Sequence, residues 1–128
     1  MLLVAPDNAI LHNRCRPDFI IHWTDVEQMF ALMYKYHGLG LAAPQVGINA
    51  RLFITNWDEI FINPGIVEMN EPRSTVESCL SLPGVQVTVR RWNKICLADG
   101  RIYIGQQAIV IQHECDHLDG YLITDRNF

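Results

Sequence analysis

Apolar residues recur at helical spacing in two stretches of the chain, one in each half. The first stretch holds Val26, Met29, Phe30 and Met33. Intervals of three and four residues place such side chains on one face of a helix. Thr24 and Glu27 form a capping-box pattern at its start, and Gly38 stands where a helix usually stops. The spacing therefore predicts a helix over residues 25–37.

The second stretch lies near the end of the sequence. Its apolar stripe consists of Ala108, Ile111, Cys115 and Leu118. The same helical period applies here, so a helix is predicted over residues 106–118.

Between the two helices the pattern is that of β-strands. Apolar and β-branched residues cluster in segments 51–56, 60–69, 85–92, 95–98 and 101–104. Pro64-Gly65 interrupts the second segment, and Asp99-Gly100 between the last two is a strong hairpin signal. The order of these elements predicts an α+β fold. Antiparallel β-strands pack around the second helix as the central element, with the first as an additional N-terminal helix.

Composition and charge narrow the class of protein. The 128 residues are 49% hydrophobic and carry a net charge of −4, which suits one domain over residues 1–128 and gives no nucleic-acid footprint. No apolar run is long enough to span a bilayer, and residues 1–20 lack the features of a targeting signal. We therefore expect a cytoplasmic monomer without membrane contact, with its four cysteines reduced.

The segment His113-Glu114-Cys115-Asp116-His117 carries the strongest chemical signal. Positions i and i+4 share one face of a helix, so His113 and His117 can hold one metal ion. Glu114 lies about 100° further round, where its carboxylate can reach a water on that metal. The alternative is a surface helix with two solvated histidines.

A single metal site of this kind needs a third protein ligand. The residues after His117 include neither Glu nor His, so the ligand must come from upstream. Cys79 is the best placed, at the end of a predicted strand just before a Pro83-Gly84 turn. The alternative for Cys79 is a buried, inert thiol, which is also our interpretation of the other cysteines. Cys115 should face away from the metal.

A third signal is the glycine-rich segment 38–47. Its small residues permit close approach of the backbone to a ligand, and the amide of Gln45 can donate to an oxyanion. An ordinary turn is the alternative. The segment lacks the spacing of a phosphate-binding loop.

Taken in order, the three segments resemble the motifs of peptide deformylases. That family carries G-x-G-L-A-A-x-Q, E-G-C-L-S and H-E-x-D-H, and this chain has GLGLAAPQ, ESCLS and HECDH. Weaker similarities are Ala5-Pro6-Asp7, Ile62-Asn63-Pro64 and a Val-x-Arg sequence before the Asp-Gly hairpin. The resemblance therefore covers most of the chain.

The resemblance implies a metal-dependent amide hydrolase with defined residue roles. One divalent metal, natively iron(II) with zinc, nickel or cobalt as substitutes, would be held by Cys79, His113 and His117. Glu114 would act as the general acid/base, and Gln45 with the backbone N–H of Leu80 would stabilise the oxyanion. The reaction would remove the formyl group from N-formylmethionyl peptides, including nascent chains at the ribosome, and release formate.

The substrate-binding residues follow from the resemblance and from the second helix. Backbone groups of Leu39, Gly40 and Ser78 would hold the peptide in an extended pose, as the resemblance implies. Ile109 and Val110 precede His113 by one turn, which places them to line an apolar pocket for methionine. The alternative is that both side chains only pack into the core.

Three features depart from the family pattern. Ser78 replaces the glycine of E-G-C-L-S, Gln86 stands where many relatives have arginine, and we expect a short form without the further C-terminal helix of many relatives. Two other functions stay open: a different metalloamidase or peptidase with the same helix motif, and a catalytically silent binding domain. Cys79 and Gln45 argue against the first, and the intact Glu114 and Gln45 against the second.

Overall fold

Two helices and two three-stranded antiparallel sheets make up the fold in the computed structural model, which describes residues 1–126. The strands are β1 Gly40–Ala42, β2 Leu52–Thr55, β3 Ile60–Ile62, β4 Ile66–Cys79, β5 Leu82–Leu97 and β6 Ile102–Ile104. The helices are α1 Trp23–Lys35 and α2 Gly105–Leu118, with short 3-10 helices at Ala9–His12, Ala43–Val46 and Ile123–Asp125. This arrangement confirms the predicted α+β class. Neither helix has the length and apolar character needed to cross a membrane.

Helix α1 begins and ends two residues earlier than predicted. The N–H of Asp25 donates to the carbonyl oxygen of His22 at 3.0 Å, and the backbone of His22 is extended. Thr24 therefore lies inside the helix, and the predicted capping box is wrong. The helix ends at Lys35 because His37 adopts a left-handed φ of 55°, a conformation that cannot continue a helix.

The first sheet has the strand order β1-β2-β3. Its first strand, β1, lies in the glycine-rich segment, where no strand is predicted. Three residues are too few to show a strand pattern, and they form a strand here because they pair with Phe53–Thr55 of β2. Leu41 of β1 and Leu52 and Ile54 of β2 pack against Met29 and Met33 of α1 in one apolar core. This packing holds the glycine-rich segment 38–47 against α1.

The second sheet has the order β4-β5-β6 and is dominated by a long β4–β5 hairpin. Segments 85–92 and 95–98, predicted as separate strands, are parts of one strand, β5. Its partner β4 continues past the predicted end at residue 69, through Pro72, to Cys79. No strand of the described residues pairs with the other edge of β4, and a proline is tolerated in such an edge strand. The predicted hairpin at Asp99-Gly100 is confirmed.

The tight turn of the β4–β5 hairpin lies earlier than predicted. Cys79 pairs directly with Leu82, so the turn is formed by Leu80 and Ser81. Pro83-Gly84, predicted to be the turn, falls within β5, where the register shifts and Gly84 has a φ of 78°. Cys79 is nevertheless the last residue of its strand, as predicted.

Helix α2 lies between the two sheets. It contacts β5 and β6 on one side and β1 and β2 on the other. Ala108, Ile111 and Leu118 are fully buried and pack with Phe53 of the first sheet and Ile95 of the second. The predicted apolar stripe is thus the side of α2 that joins the sheets. The single domain over residues 1–128 stays a prediction, and its last two residues lie outside the described range.

Candidate active site

Three potential metal ligands converge where α2 passes the end of β4. The ligand atoms of Cys79, His113 and His117 all lie within 4.8 Å of one another. The Sγ of Cys79 is 3.4 Å from the Nε2 of His117. The end of the strand fixes the thiol, and the helical repeat aligns the two imidazoles. The sequence therefore brings together one sulfur and two nitrogen donors from separate segments.

The two imidazoles are held in different environments. His117 is 1% exposed, and burial lowers its pKa well below the usual range, which keeps it in the neutral form that binds metals. Burial also opposes a charge on His113, but hydrogen bonds with Cys79 and Glu77 outweigh it and raise its pKa to about 10. The Nδ1 of His113 lies 2.9 Å from a Glu77 carboxylate oxygen. That contact leaves Nε2 of His113 for the Cys79 side, where a bound metal would replace the proton.

A buried ion-pair network contacts His113 at its Nδ1. Arg91 donates from Nε and Nη2 to both carboxylate oxygens of Glu77, at 2.9 and 2.8 Å, and from Nη1 to Asp116 at 2.6 Å. Burial alone would raise the pKa of Glu77, but the bonds from Arg91 and His113 hold it well below its usual range. Glu77 is therefore ionised and fixes the orientation of the His113 ring.

The sequence patterns did not reveal this network. Glu77 and Asp116 are letters of the ESCLS and HECDH segments, but no role was predicted for either. The signal that could have found them is Arg91, which continues the alternation of Val85, Val87 and Val89. A charged side chain at an inward-facing strand position requires buried partners.

Replacing Arg91 with alanine is expected to destabilise the protein by about 3–5 kcal/mol, because the buried Glu77 carboxylate would lose both of its bonds from the guanidinium and Asp116 would keep only its bond from Arg126. The measurement is the free energy of unfolding in urea. Arg90→Ala is the matched control, since the neighbouring Arg90 is exposed and exposed substitutions usually change stability by only about 0.5 kcal/mol. Equal losses in the two variants would contradict the assigned importance of the network.

Gln45 is held with its amide nitrogen toward the sulfur donor. Its Oε1 accepts from the backbone N–H of Ala42 at 2.9 Å, which fixes the direction of the amide. Its Nε2 donates to the hydroxyl of Ser81 at 3.0 Å and lies 3.6 Å from the Sγ of Cys79. The side chain is 2% exposed. A rigid donor therefore points to the place where the three metal-ligand candidates meet.

Glu114 is a buried carboxylate beside the same place. It is 3% exposed, and its Oε1 has no hydrogen-bond partner in residues 1–126. Burial raises its pKa to about 7. A carboxylate oxygen left without a protein partner in this position fits a water molecule or a substrate.

Gly40 makes room for that carboxylate. A Cβ added to Gly40 would stand 2.8 Å from Oε2 of Glu114, closer than a real contact allows. Gly40→Ala is therefore expected to move the carboxylate and to lower the rate of any reaction that depends on it, by about 10²-fold for a shift near 1 Å. The measurement is kcat on the substrate proposed below. Gly65→Ala is the control, because its nearest neighbour is 3.7 Å away; an equal loss there would contradict the explanation.

A cavity of about 320 Å³ opens in front of these groups. Its walls include every residue that the sequence predicted for the site except His117: Leu39, Gly40, Gln45, Ser78, Cys79, Leu80, Ile109, Val110, His113 and Glu114. His117 lies behind the cavity, next to Cys79. Ile109 and Val110 are buried and also line the cavity, so packing and lining are not exclusive.

The donor set suits a divalent cation. Two imidazoles and a thiolate are ligands that zinc and iron(II) accept, and three protein ligands leave a position open for water or substrate. The unpartnered Oε1 of Glu114 next to these donors is consistent with such a centre. Cys115, between the histidines in sequence, instead packs against the core cluster of Ala108 and Ile111.

Comparisons with known proteins agree on one family. The family model described as polypeptide deformylase matches residues 2–127. The chain is 39% identical to peptide deformylase 1 of Clostridium perfringens over 93% of this chain and 92% of that protein. It is 43% identical to the peptide deformylase of Dictyoglomus thermophilum, over 77% and 71%. The crystal structure of peptide deformylase from Thermotoga maritima superimposes with a TM-score of 0.90 at 35% identity, covering 99% of this chain and 97% of that one.

The sequence resemblance is thereby confirmed. The match runs along nearly the whole chain, and the converging donors come from two of the three segments that carry the resemblance. The chain therefore belongs to the polypeptide deformylase family, and it is a metal-dependent hydrolase that removes the formyl group from N-formylmethionyl peptides.

Proposed function

We propose that Cys79, His113 and His117 hold the catalytic metal and that Glu114 transfers protons during the removal of the formyl group. The observation that carries this assignment is the convergence of the three ligand atoms within 4.8 Å beside a buried carboxylate. A divalent cation held by these residues would supply Lewis-acid chemistry, making a water molecule acidic enough to attack at neutral pH.

Glu114 moves the proton. Glu114 lines the cavity, and its Oε1 has no hydrogen-bond partner in residues 1–126, so the carboxylate can accept a proton from the attacking water. The same carboxyl then gives the proton to the departing amine, so that formate and a free N-terminus are the products. Burial and the narrow space beside Gly40 restrict the movement of the carboxylate, so one group can serve in both steps.

Two donors stabilise the oxyanion that develops on the formyl oxygen. We assign these as Nε2 of Gln45 and the backbone N–H of Leu80. The bond from Ala42 fixes the amide of Gln45, and the tight turn after Cys79 fixes the Leu80 backbone. Each such donor is typically worth about 3 kcal/mol of the barrier.

The peptide is proposed to bind as an extended strand between two free edges. β1 pairs only with β2, and β4 pairs only with β5, among the described residues. Leu39 and Gly40 on one side of the cavity and Ser78 on the other can therefore offer backbone hydrogen bonds. Ile109 and Val110 provide an apolar wall for the methionine side chain.

The substrates are proposed to be nascent chains, and the protein is proposed to act as a cytoplasmic monomer. Formylated N-termini arise during translation, so the ribosome is the place where the enzyme meets them. The net charge of −4 suits recognition of the peptide itself better than recognition of nucleic acid.

The test of this function is formate release from a formyl-Met peptide, with the metal content measured on the same anaerobic preparation. We expect release in proportion to bound metal. Cleavage of internal peptide bonds without formate release would favour a different metallopeptidase. Tight binding of the formyl peptide without turnover would favour a silent binding domain.

Iron(II) is proposed as the native metal. A thiolate beside iron(II) makes the centre sensitive to oxygen, so aerobic purification should give a weakly active or zinc-occupied protein. Exchange into nickel or cobalt, or anaerobic loading with iron, should raise kcat. The experiment compares kcat per bound metal among these preparations, and equal values in all of them would refute the proposal.

A further inference from the structure

The face of α2 that lines the cavity is apolar at Ile109 and Val110 and becomes polar at Gln106. Gln106, Ile109, Val110 and His113 line the cavity, and of these four only Gln106 is exposed. The spacing of seven residues between Gln106 and His113 corresponds to about 10.5 Å along a helix. Gln106 therefore stands at the far end of the apolar wall from the metal ligands.

The amide of Gln106 is free to bind a ligand. Its side chain makes no hydrogen bond to any residue in 1–126, whereas the amides of Gln45 and Gln112 are both engaged. Gln106 is exposed, so its amide is hydrated until a substrate occupies the cavity. An amide with two N–H donors can then replace a water contact with a contact to the substrate.

An apolar wall by itself selects against polar side chains. A hydrogen-bond acceptor that enters such a pocket loses its water contacts, and without a donor nothing replaces them. A donor at the end of the wall removes this penalty for a side chain whose acceptor lies near its tip. Methionine sulfoxide has this shape, because oxidation converts the thioether into a polar group with an accepting oxygen.

We propose that Gln106 is a specificity-determining residue that lets the enzyme deformylate peptides whose first residue is methionine sulfoxide as well as methionine. The inference rests on the proposed binding of the first side chain along Ile109 and Val110. The Nε2 of Gln106 donates to the sulfoxide oxygen, and the apolar wall contacts the methylene groups, which the two substrates share.

The experiment measures kcat/KM for formyl-Met, formyl-Met-sulfoxide and formyl-norleucine tripeptides. Gln106→Leu should lower the ratio of sulfoxide to methionine by at least ten-fold and raise the ratio of norleucine to methionine. Gln106→Glu should lower the sulfoxide ratio similarly, because a carboxylate of nearly the same shape cannot donate. Both substitutions introduce good helix formers at an exposed position, so folding should be preserved.

Gln107→Leu is the matched control. Gln107 is the adjacent glutamine, is also exposed and does not line the cavity, so both ratios should stay at the parent values. Ratios in Gln106→Leu within two-fold of the parent would overturn the inference while leaving the proposed function intact. Failure of the parent to release formate from the formyl-Met peptide would refute the proposed function and this inference together.

Discussion

Replacing Glu114 with glutamine should leave the metal bound but lower kcat/KM for a formyl-Met peptide by at least about 10²- to 10⁴-fold, the range typical of general acid/base groups. Glutamine has nearly the same shape, so it fits the space beside Gly40, but it cannot accept and return the proton. The measurement combines kcat/KM with metal content. Near-normal turnover with metal retained would remove Glu114 from the mechanism.

Glu114→Ala distinguishes the loss of proton transfer from the loss of side-chain packing. It leaves a small void next to Gly40 and should lose as much turnover as the glutamine variant. A much larger loss in the alanine variant, with the glutamine variant active, would indicate that Glu114 acts by packing alone.

Replacing Cys79 with alanine should remove both metal and activity. Substitution of a group that only orients a ligand typically weakens metal binding by about 10- to 100-fold, and loss of a direct ligand should exceed that. Metal content after dialysis against a chelator gives the affinity, and formate release gives the activity.

Cys96→Ala is the matched control for Cys79→Ala. Cys96 is a free thiol that lies on β5 outside the cavity, so its loss should change neither quantity. If the Cys79 variant held metal as tightly as the parent and stayed active, Cys79 would be a core thiol and not a ligand.

The elements that the sequence predicts well are those with a local signal. α2 and the strand segments show a periodicity within a few residues, and the Asp99-Gly100 turn is specified by its own backbone preferences. β1 and the outer half of β4 have no such signal. Their conformations depend on pairing with β2 and β5, which a local pattern does not contain.

The same distinction applies to the site. The candidates His113, Glu114 and Gln45 stand in short motifs whose spacing indicates their chemistry. Glu77 and Arg91 are fourteen residues apart and meet only because β4 and β5 pair in one register. Such a contact is a property of the hairpin as a whole, so a motif cannot reveal it.

The proposed metal should also affect the stability of the protein, because Cys79 and His117 lie far apart along the chain. They are 38 positions apart, on a strand and a helix, so one cation bound by both acts as a reversible cross-link that closes a long loop. A covalent bridge over a loop of this length reduces the entropy of the unfolded chain by an amount worth about 4 kcal/mol. In the unfolded chain only the two histidines stay close together, so the cation binds the folded protein more tightly and stabilises it. Oxidation that expels the cation would remove this stabilisation and expose the polypeptide to proteolysis.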